Sequence, residues 1–445
     1  MGLPLLSGYG AGAVFAWRNG RAIGVDEYLS DVTHAAAQLP DRRHVLNLCA
    51  DRYRFAVALG AALVRGQVSL LPPNQAPDLL ERLAAGYPGL YCLGDPVTPG
   101  GHPQSVPPPA LEWVAVPVRA EPARVAARIP VLPGTQAGVI VFTSGSTGEP
   151  VPHRKSWGAL VGSARAEIER LGVSGLSLLG TVPPQHVYGL ESTVLMAMQG
   201  GCALHAGRPF YPSDIRAALE SLPRPRGLVT TPVHLRVLLA EPEPLPAADF
   251  LLCATAPLSP QLAAEAEARF AAPLHEIYGC TEAGQIASRR TVETDEWRAL
   301  RGLVLRADGG GTRVGGGHVE QEVLLGDVIE LRGRSRFLLH GRTADLVNVA
   351  GKRTSLAHLN YHLNSIEGVR DGAFALPEGE GEGVARLMAF VVAPGVERAA
   401  ILEALRRRID PAFLPRPLCF VEALPRNDTG KLPRQALDDL ARKAG

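Results

Sequence analysis

The feature that most constrains the fold is a repeated alternation of short apolar runs with stretches of helical periodicity. Residues 25–39 read as a helix, 45–49 as a short strand, 52–64 as an alanine-rich helix and 68–71 as another strand. The pattern returns with a strand at 139–142, a helix at 155–171, a strand at 176–181 and a helix at 190–198. It continues as strand and helix in turn over 202–204, 212–222, 228–230, 233–239, 250–254, 259–270 and 274–277. Such repetition argues for parallel βαβ units. Two halves of this kind, packed together, place ligands beyond the carboxyl ends of their strands.

With 445 residues the chain is too long for one ordinary core, so two or three domains are expected. A hydrophobic content of 46% with 20% charged residues is that of a globular chain, and a net charge of +1 gives no pull towards nucleic acid or membrane. The six cysteines are scattered, without a CxxC pair or histidines spaced for zinc, which suits reduced thiols in a cytosol. The opening MGLPLLSGYG lacks the basic and long apolar regions of a signal peptide. The longest apolar run, 55–64, lies between Arg54 and Arg65 and is too short to span a bilayer. A cytoplasmic protein is expected. The stretch 94–110 is rich in proline and glycine and reads as a surface connection. From Trp297 short β-like runs alternate with glycine clusters, as in a small antiparallel subdomain, and from residue 346 a compact α+β unit follows.

The informative residues sit where strands end. The run 139–142 passes into Thr143-Ser144-Gly145-Ser146-Thr147-Gly148, a loop almost without side-chain bulk. Glycine lets backbone approach a ligand, successive amides form an anion-attracting concavity, and the hydroxyls add donors. The loop is shaped to hold a polyphosphate, though no Lys follows the last glycine as in a Walker A loop, and alone it is more often a solvated turn. A helix starting at Lys155 would add positive dipole potential beside it. The strand at 250–253 ends in Ala254-Thr255-Ala256-Pro257, small enough to let a flat ring lie on backbone. The strand at 274–277 ends in Tyr278-Gly279-Cys280-Thr281-Glu282, where an aromatic face, a hydroxyl and a carboxylate fall within five residues. Tyr278 can stack on a base, Thr281 can bond a phosphate and Glu282 can hold Mg²⁺. Asp327 and Arg342 can share the hydroxyls of a ribose, although a turn aspartate and a solvated arginine are the plainer reading. Lys431 tips the polar loop 424–431.

Taken in order, TSGSTGEP, PPQHVYGL, ATAPLS, YGCTE, GD, GRTADLVNVAGKR and LPRNDTGK resemble the motifs of the adenylate-forming superfamily, which includes acyl- and aryl-CoA synthetases, luciferases and nonribosomal adenylation domains. They span roughly residues 139–434. The resemblance implies an α/β fold with a large N-terminal part of two packed α/β subdomains plus a small β subdomain, followed by a small mobile α+β C-terminal domain. It implies an adenylation core over 1–341, a hinge at 342–345 with Ala344 or Asp345 as pivot, and a mobile domain over 346–445. The expected reaction has two steps: a carboxylate attacks the α-phosphorus of ATP to give an acyl-adenylate and pyrophosphate, and a thiol then displaces AMP. By resemblance, Thr143, Ser144, Gly145, Ser146, Thr147 and Gly148 cradle the phosphates, and Ala254, Thr255, Ala256, Tyr278, Gly279 and Cys280 line the adenine site. Asp327 and Arg342 hold the ribose, Thr281 meets the α-phosphate, Glu282 binds Mg²⁺, and Lys431 bridges carboxylate and α-phosphate. His186 gates the acyl site, with Tyr188, Gly189 and Gly279 around the acid, and Gly351 lets a pantetheine arm pass.

Two departures stand out. Val151 follows Pro150 where the family has a lysine, so His153, Arg154 or Lys155 is expected to meet the pyrophosphate instead. The chain is also short ahead of the phosphate loop, which suggests a trimmed N-terminal subdomain without a dedicated CoA adenine site. The run Pro150-Val151-Pro152-His153-Arg154-Lys155-Ser156-Trp157 is similar to that of short stand-alone ligases of bacterial aryl-polyene and xanthomonadin pigment biosynthesis. Those load a hydroxybenzoate or related aryl acid onto an acyl carrier protein. The expectation is a 3- or 4-hydroxybenzoate-like acid and a carrier-protein thiol, with Arg406-Arg407-Arg408 as a cationic patch for an acidic carrier, or else a plain solvated charge run. The competing readings are a ligase that uses free CoA and a silent relative that only binds nucleotide or acyl groups.

Overall fold

Two mixed sheets carry most of the chain. The computed structural model describes residues 1–96, 111–118, 128–144, 150–342, 345–349, 352–376, 387–426 and 432–444. The first sheet runs in the order Pro150–Ser156, Ala137–Ser144, Val68–Leu71, His44–Asn47, Tyr91–Gly94 and Trp113–Ala115. All its neighbours are parallel except the Pro150–Ser156 edge. The second sheet has eleven strands, with a parallel middle made of Val14–Arg18, Ala203–His205, Ser177–Gly180, Arg226–Thr230, Phe250–Cys253 and Leu274–Cys280. The α/β architecture with a smaller C-terminal part agrees with the expected fold class.

Several elements differ from the sequence reading. The hairpin Val14–Arg18/Arg21–Gly24 went unread, although its Asn19-Gly20 turn has φ of 50° and 73°, the type I′ pattern that suits twisted strands. The helix Pro77–Gly86 and the strands Tyr91–Gly94 and Trp113–Ala115 were also unread. The antiparallel region after Trp297 divides in two. Trp297–Ala299, Arg336–Arg342 and Asp327–Leu331 extend the large sheet, while Leu303–Asp308, Gly311–Gly316 and Val319–Leu325 form a three-stranded sheet of their own. Of the connection expected at 94–110, residues 97–110 lie outside the described residues, as does Gly351.

The two sheets are stapled by Arg52, at the start of the helix Arg52–Val64. Its guanidinium is fully buried and donates to the carbonyls of Gly180 and Val182 on one side and of His205 and Gly207 on another, at 2.7–3.2 Å. Four carbonyl partners offset the cost of burying that charge. Gln185 adds a bond from Nε2 to the Cys49 carbonyl, 2.7 Å, so the loop after Ser177–Gly180 is fixed against the first sheet.

Beyond Val347 the buried side chains form separate cores, one around Leu359, Phe374 and Ile401 and another around Phe390 and Met388. These lie on the sheet Asp371–Ala375, Met388–Val392 and Leu418–Phe420, with the helices Leu356–Asn364, Arg398–Arg406 and Arg434–Ala444. Contacts back to the large part include several polar ones. Gln261 donates to the Ser365 carbonyl at 3.1 Å, Tyr361 to Asp295 at 3.4 Å, and Arg236 lies 3.7 Å from Asp371. Asp371 is held in its own unit by a fork from Arg426 at 2.8 Å. In the arginine run, Arg406 and Arg407 both reach Glu403 and Arg408 donates to the Ser365 carbonyl, so the patch is partly neutralised.

Candidate active site

The strand Ala137–Ser144 leads into the expected phosphate loop, whose residues Gly145, Ser146, Thr147 and Gly148 lie outside the described residues, as does the side chain of Ser144. From Pro150 the chain turns back along the same strand, pairing Pro150 with Ser144 and Ser156 with Ala137. This corrects the expected helix start. The helix is Trp157–Leu171, and its first N–H donates to the Gln136 carbonyl at 2.7 Å, at the far end of the strand. Its dipole therefore does not act on the phosphate loop.

Strand alternation puts His153 and Lys155 on one face of this returning strand and Arg154 on the other. His153 Nε2 lies 2.9 Å from Thr143 Oγ1 and 3.9 Å from the Glu282 carboxylate. Lys155 is buried, and its Nζ donates to the Glu282 carbonyl at 3.0 Å, so it props up the turn instead of facing the loop. Of the three residues weighed for the missing lysine, His153 is the one set between Thr143 and Glu282.

Tyr278, Gly279 and Cys280 belong to the strand Leu274–Cys280, not to a loop after it, and Thr281-Glu282-Ala283 form the tip of a hairpin with Gly284–Arg289. The register slips between Tyr278 and Gly279, a bulge that re-aims the tyrosine. Its hydroxyl donates to Asp327 Oδ2 at 2.7 Å, and its ring lies against Trp297 and Phe337. Asp327 begins the strand Asp327–Leu331, where it stands opposite Arg342, whose side chain is outside the described residues. At Gly279 a Cβ would come within 2.3 Å of the Gly284 carbonyl oxygen, so only glycine fits the crossing. Cys280 accepts the Ala283 N–H at 3.4 Å, and burial pushes its thiol up to about 12; it closes the turn and is no nucleophile at neutral pH. Next to the hairpin, Ala254 is buried and Thr255 adopts φ of 83°, left-handed backbone that a β-branched residue seldom takes. Strain of this kind clusters where ligands bind.

His186, expected at the acyl site, stands just ahead of the short turn Val187–Gly189. At Gly189 a Cβ would lie 2.0 Å from the Pro183 carbonyl oxygen, which explains the glycine by packing. The Tyr188 ring is buried and its hydroxyl is committed to the carbonyls of Thr230 and Leu252, at 3.1 and 3.0 Å. Tyr188, expected beside the acid, thus has its hydroxyl bonded within the protein. The next six residues, Leu190–Leu195, form a π-helix, a form that recurs at functional sites.

Behind this segment lies a buried polar layer that the sequence reading missed. Ser163 donates to Glu191 at 3.0 Å, Ser192 to Glu167 at 2.7 Å, and Gln285 Nε2 to Ser192 at 2.8 Å. Burial raises the Glu167 carboxyl to about 8 and that of Glu191 to about 7. The clue was present: Glu-Ser-Thr interrupts the otherwise apolar run 187–198.

Asp345 is half-buried just ahead of the strand Leu346–Val349, while Ala344 and Lys431 lie outside the described residues. Among the described residues no three His, Cys, Asp or Glu side chains gather as a metal site. The exposed carboxylate of Glu282 still suits Mg²⁺, which commonly takes one protein carboxylate and completes its shell with phosphate oxygens and water. None of the helices among the described residues is long and apolar enough to cross a membrane.

The two sheets thus bring the Thr143 strand end to the Glu282 hairpin through His153, and pair Tyr278 with Asp327. Residues 102–306 match the AMP-binding enzyme family. A 4-coumarate–CoA ligase of Rhodobacter capsulatus is 29% identical over 302 residues, covering 66% of this chain and 74% of that protein. ATP-bound MatB from Rhodopseudomonas palustris superposes with a TM-score of 0.79 at 17% identity, covering 97% of this chain and 96% of that one. The O-succinylbenzoate Coenzyme A synthetase MenE of Bacillus subtilis, in complex with AMP, gives 0.75 at 19% identity, covering 96% and 95%. The chain is thus similar to AMP-binding, adenylate-forming enzymes. It is an AMP-forming acid–thiol ligase that uses ATP with Mg²⁺ to activate an acid as its acyl-adenylate.

Proposed function

We propose that this ligase activates an aryl carboxylic acid of the 3- or 4-hydroxybenzoate type and passes the acyl group to a pantetheine thiol of an acyl carrier protein. The observation that carries the activation site is the convergence of Thr143, His153 and Glu282 at one strand end, with Tyr278 bonded to Asp327 beside it. In this reading Thr143, Ser144 and Gly145 to Gly148 hold the β- and γ-phosphates. His153 supplies the donor that the missing lysine would give. Ala254, Thr255, Ala256, Tyr278, Gly279 and Cys280 border the adenine, and Asp327 with Arg342 takes the ribose. Thr281 donates to the α-phosphate, and Lys431 brings its charge to the carboxylate oxygen that attacks phosphorus. Glu282 would hold Mg²⁺, which would supply neutralisation of phosphate charge. The acid enters past His186, between Gly189 and Gly279. Residues 342–345 act as the hinge, with Ala344 or Asp345 as pivot, and residues 346–445 as the mobile domain between the half-reactions.

The aryl preference is supported by relatives named for 4-coumarate and 2-succinylbenzoate. The carrier protein rests on the likeness of residues 150–157 to carrier-loading pigment ligases. The same relatives favour a second reading, with CoA as acceptor. Pyrophosphate exchange across a panel of aryl and aliphatic acids tests the first step, followed by thioester formation on CoA or on holo carrier protein. Fast transfer to CoA alone overturns the carrier reading. Exchange driven only by aliphatic acids overturns the aryl one. Lys431→Ala is expected to slow exchange by about 10²–10³, the scale of a lost preorganised donor, and near-normal exchange would reassign the lysine.

A further inference from the structure

Asp371 stands between two arginines that belong to different parts of the chain. It opens the strand Asp371–Ala375, and Arg426 forks onto it, Nε and Nη2 each donating at 2.8 Å. Arg236 Nη1 lies 3.7 Å from the same carboxylate. Arg236 belongs to the helix Pro232–Ala240, which follows the strand Arg226–Thr230 in the middle of the large sheet. The Arg236 and Asp371 side chains are largely buried, at 18% and 15% exposure. Among the described residues Arg236 Nη1 has no hydrogen-bond partner, and Asp371 is the one carboxylate within ion-pair reach of this guanidinium. A cation buried to this extent needs an opposite charge, and here the carboxyl-terminal unit bears it. Turning that unit away separates the pair, so the pair weights the orientation in which it forms. Two features tie this orientation to the nucleotide. Arg236 interacts electrostatically with Cys253, whose strand runs into Ala254, Thr255 and Ala256, assigned to adenine in the proposed reading. Arg426, at the other end of the fork, stands five residues ahead of Lys431 in the chain.

We propose that Arg236 is a positioning residue for adenylate formation: through Asp371 it seats the carboxyl-terminal unit in the orientation used for the first half-reaction. The inference rests on the reading in which that unit moves between half-reactions and brings in Lys431, and it adds the residue of the large part that holds it. Arg236 acts on the population of one orientation, so its loss slows that step by the factor by which the population falls.

The test is pyrophosphate exchange by the full chain with an acid that the wild type activates, set beside transfer from the synthetic acyl-adenylate to CoA and to holo carrier protein. Arg236→Met is expected to slow exchange by about five- to tenfold, with KM for ATP and for the acid held within about twofold. Transfer from the supplied acyl-adenylate should stay within about twofold of wild type or rise. Arg236→Lys, which keeps the charge, should recover about half of the lost rate or more. Asp371→Asn should slow exchange as well, and adding Arg236→Met to it should bring no further loss, since the arginine acts through that carboxylate. Melting curves and AMP binding establish that each variant is folded. A folded Arg236→Met enzyme with wild-type exchange would overturn the proposal. Equal losses in both half-reactions, the mark of a purely structural ion pair, would overturn it too, as would losses that multiply in the double variant. Near-normal exchange in Lys431→Ala would instead withdraw the lysine reading, and this inference with it. Slow exchange in Lys431→Ala beside wild-type exchange in Arg236→Met leaves the lysine reading standing and removes this inference alone.

Discussion

At the scale of single residues, the site is built from side chains whose neighbours decide what they can do. Tyr278 combines a ring packed on Trp297 and Phe337 with a hydroxyl bonded to Asp327 at 2.7 Å. Removing the hydroxyl in Tyr278→Phe takes one bond from Asp327, and a charge-assisted bond of this type is worth about 1.5–3 kcal/mol. The expected result is a rise of about tenfold in KM for ATP with a smaller change in kcat, read by steady-state exchange kinetics. Glu167 and Glu191 carry a different prediction. Their carboxyls titrate near 8 and 7 in the folded chain, against an ordinary value of 4.5, because burial disfavours the charged form. The folded state then binds more protons than the unfolded state across that window, so stability falls as pH rises. The contribution is complete below about pH 4.5 and lost as pH climbs through about 8. Glu167→Gln, which cannot ionise, should flatten the decline of Tm between about pH 5 and pH 8 in thermal melts.

At the scale of elements, the helices and central strands were legible because their periodicity is strong. The helix Arg52–Val64 matched its expected bounds, helped by the Asp51 cap on the Arg54 N–H. The strand Val68–Leu71 also matched. The errors lie where a local pattern was ambiguous. Lys155 and Ser156 read as helix because they precede a helical run, yet the antiparallel pairing with the strand Ala137–Ser144 claims them. Tyr278 to Cys280 read as loop because glycine and a polar tip suggested one, while the hairpin partner Gly284–Arg289 draws them into the sheet. Thr143, Glu282, Tyr278 and Asp327 were expected from motif order, and the contacts of Thr143 with His153, His153 with Glu282 and Tyr278 with Asp327 follow from pairings far apart in sequence. The buried layer of Glu167, Glu191 and Gln285 was signalled only by Glu-Ser-Thr within the apolar run 187–198, and its partners lie on elements far apart in sequence. One element end carries its own prediction. The helix Pro260–Phe270 finishes on Ala271 at φ of 52°, a left-handed cap that suits glycine. Ala271→Gly should raise stability by about 1 kcal/mol, measured by denaturant titration, without touching exchange activity.

At the scale of the whole molecule, the cores beyond Val347 touch the rest through contacts that include several polar ones, among them Gln261 with Ser365 and Arg236 with Asp371. Polar contacts of this size release more readily than an apolar interface. If the carboxyl-terminal unit turns between the half-reactions, fixing it must separate them. Gln261→Cys with Ser365→Cys, joined by a short bifunctional thiol reagent, should leave one half-reaction within a few-fold of normal and suppress the other by about 10² or more. A linked enzyme with both rates intact would rule out the rotation. The opposite end of the chain has a consequence for biosynthesis. Ala16 pairs with Leu204, and Ser7 and Tyr9 are bonded to Met198, Ala197 and Cys202, so the opening hairpin finds its place only in a sheet encoded far downstream. During translation at ordinary speed that edge waits on the order of ten to forty seconds for its partner to leave the ribosome. Nascent chains stalled short of Leu204 should therefore hold a protease-sensitive amino terminus, and a chaperone that shields extended apolar segments would find its main client interval there.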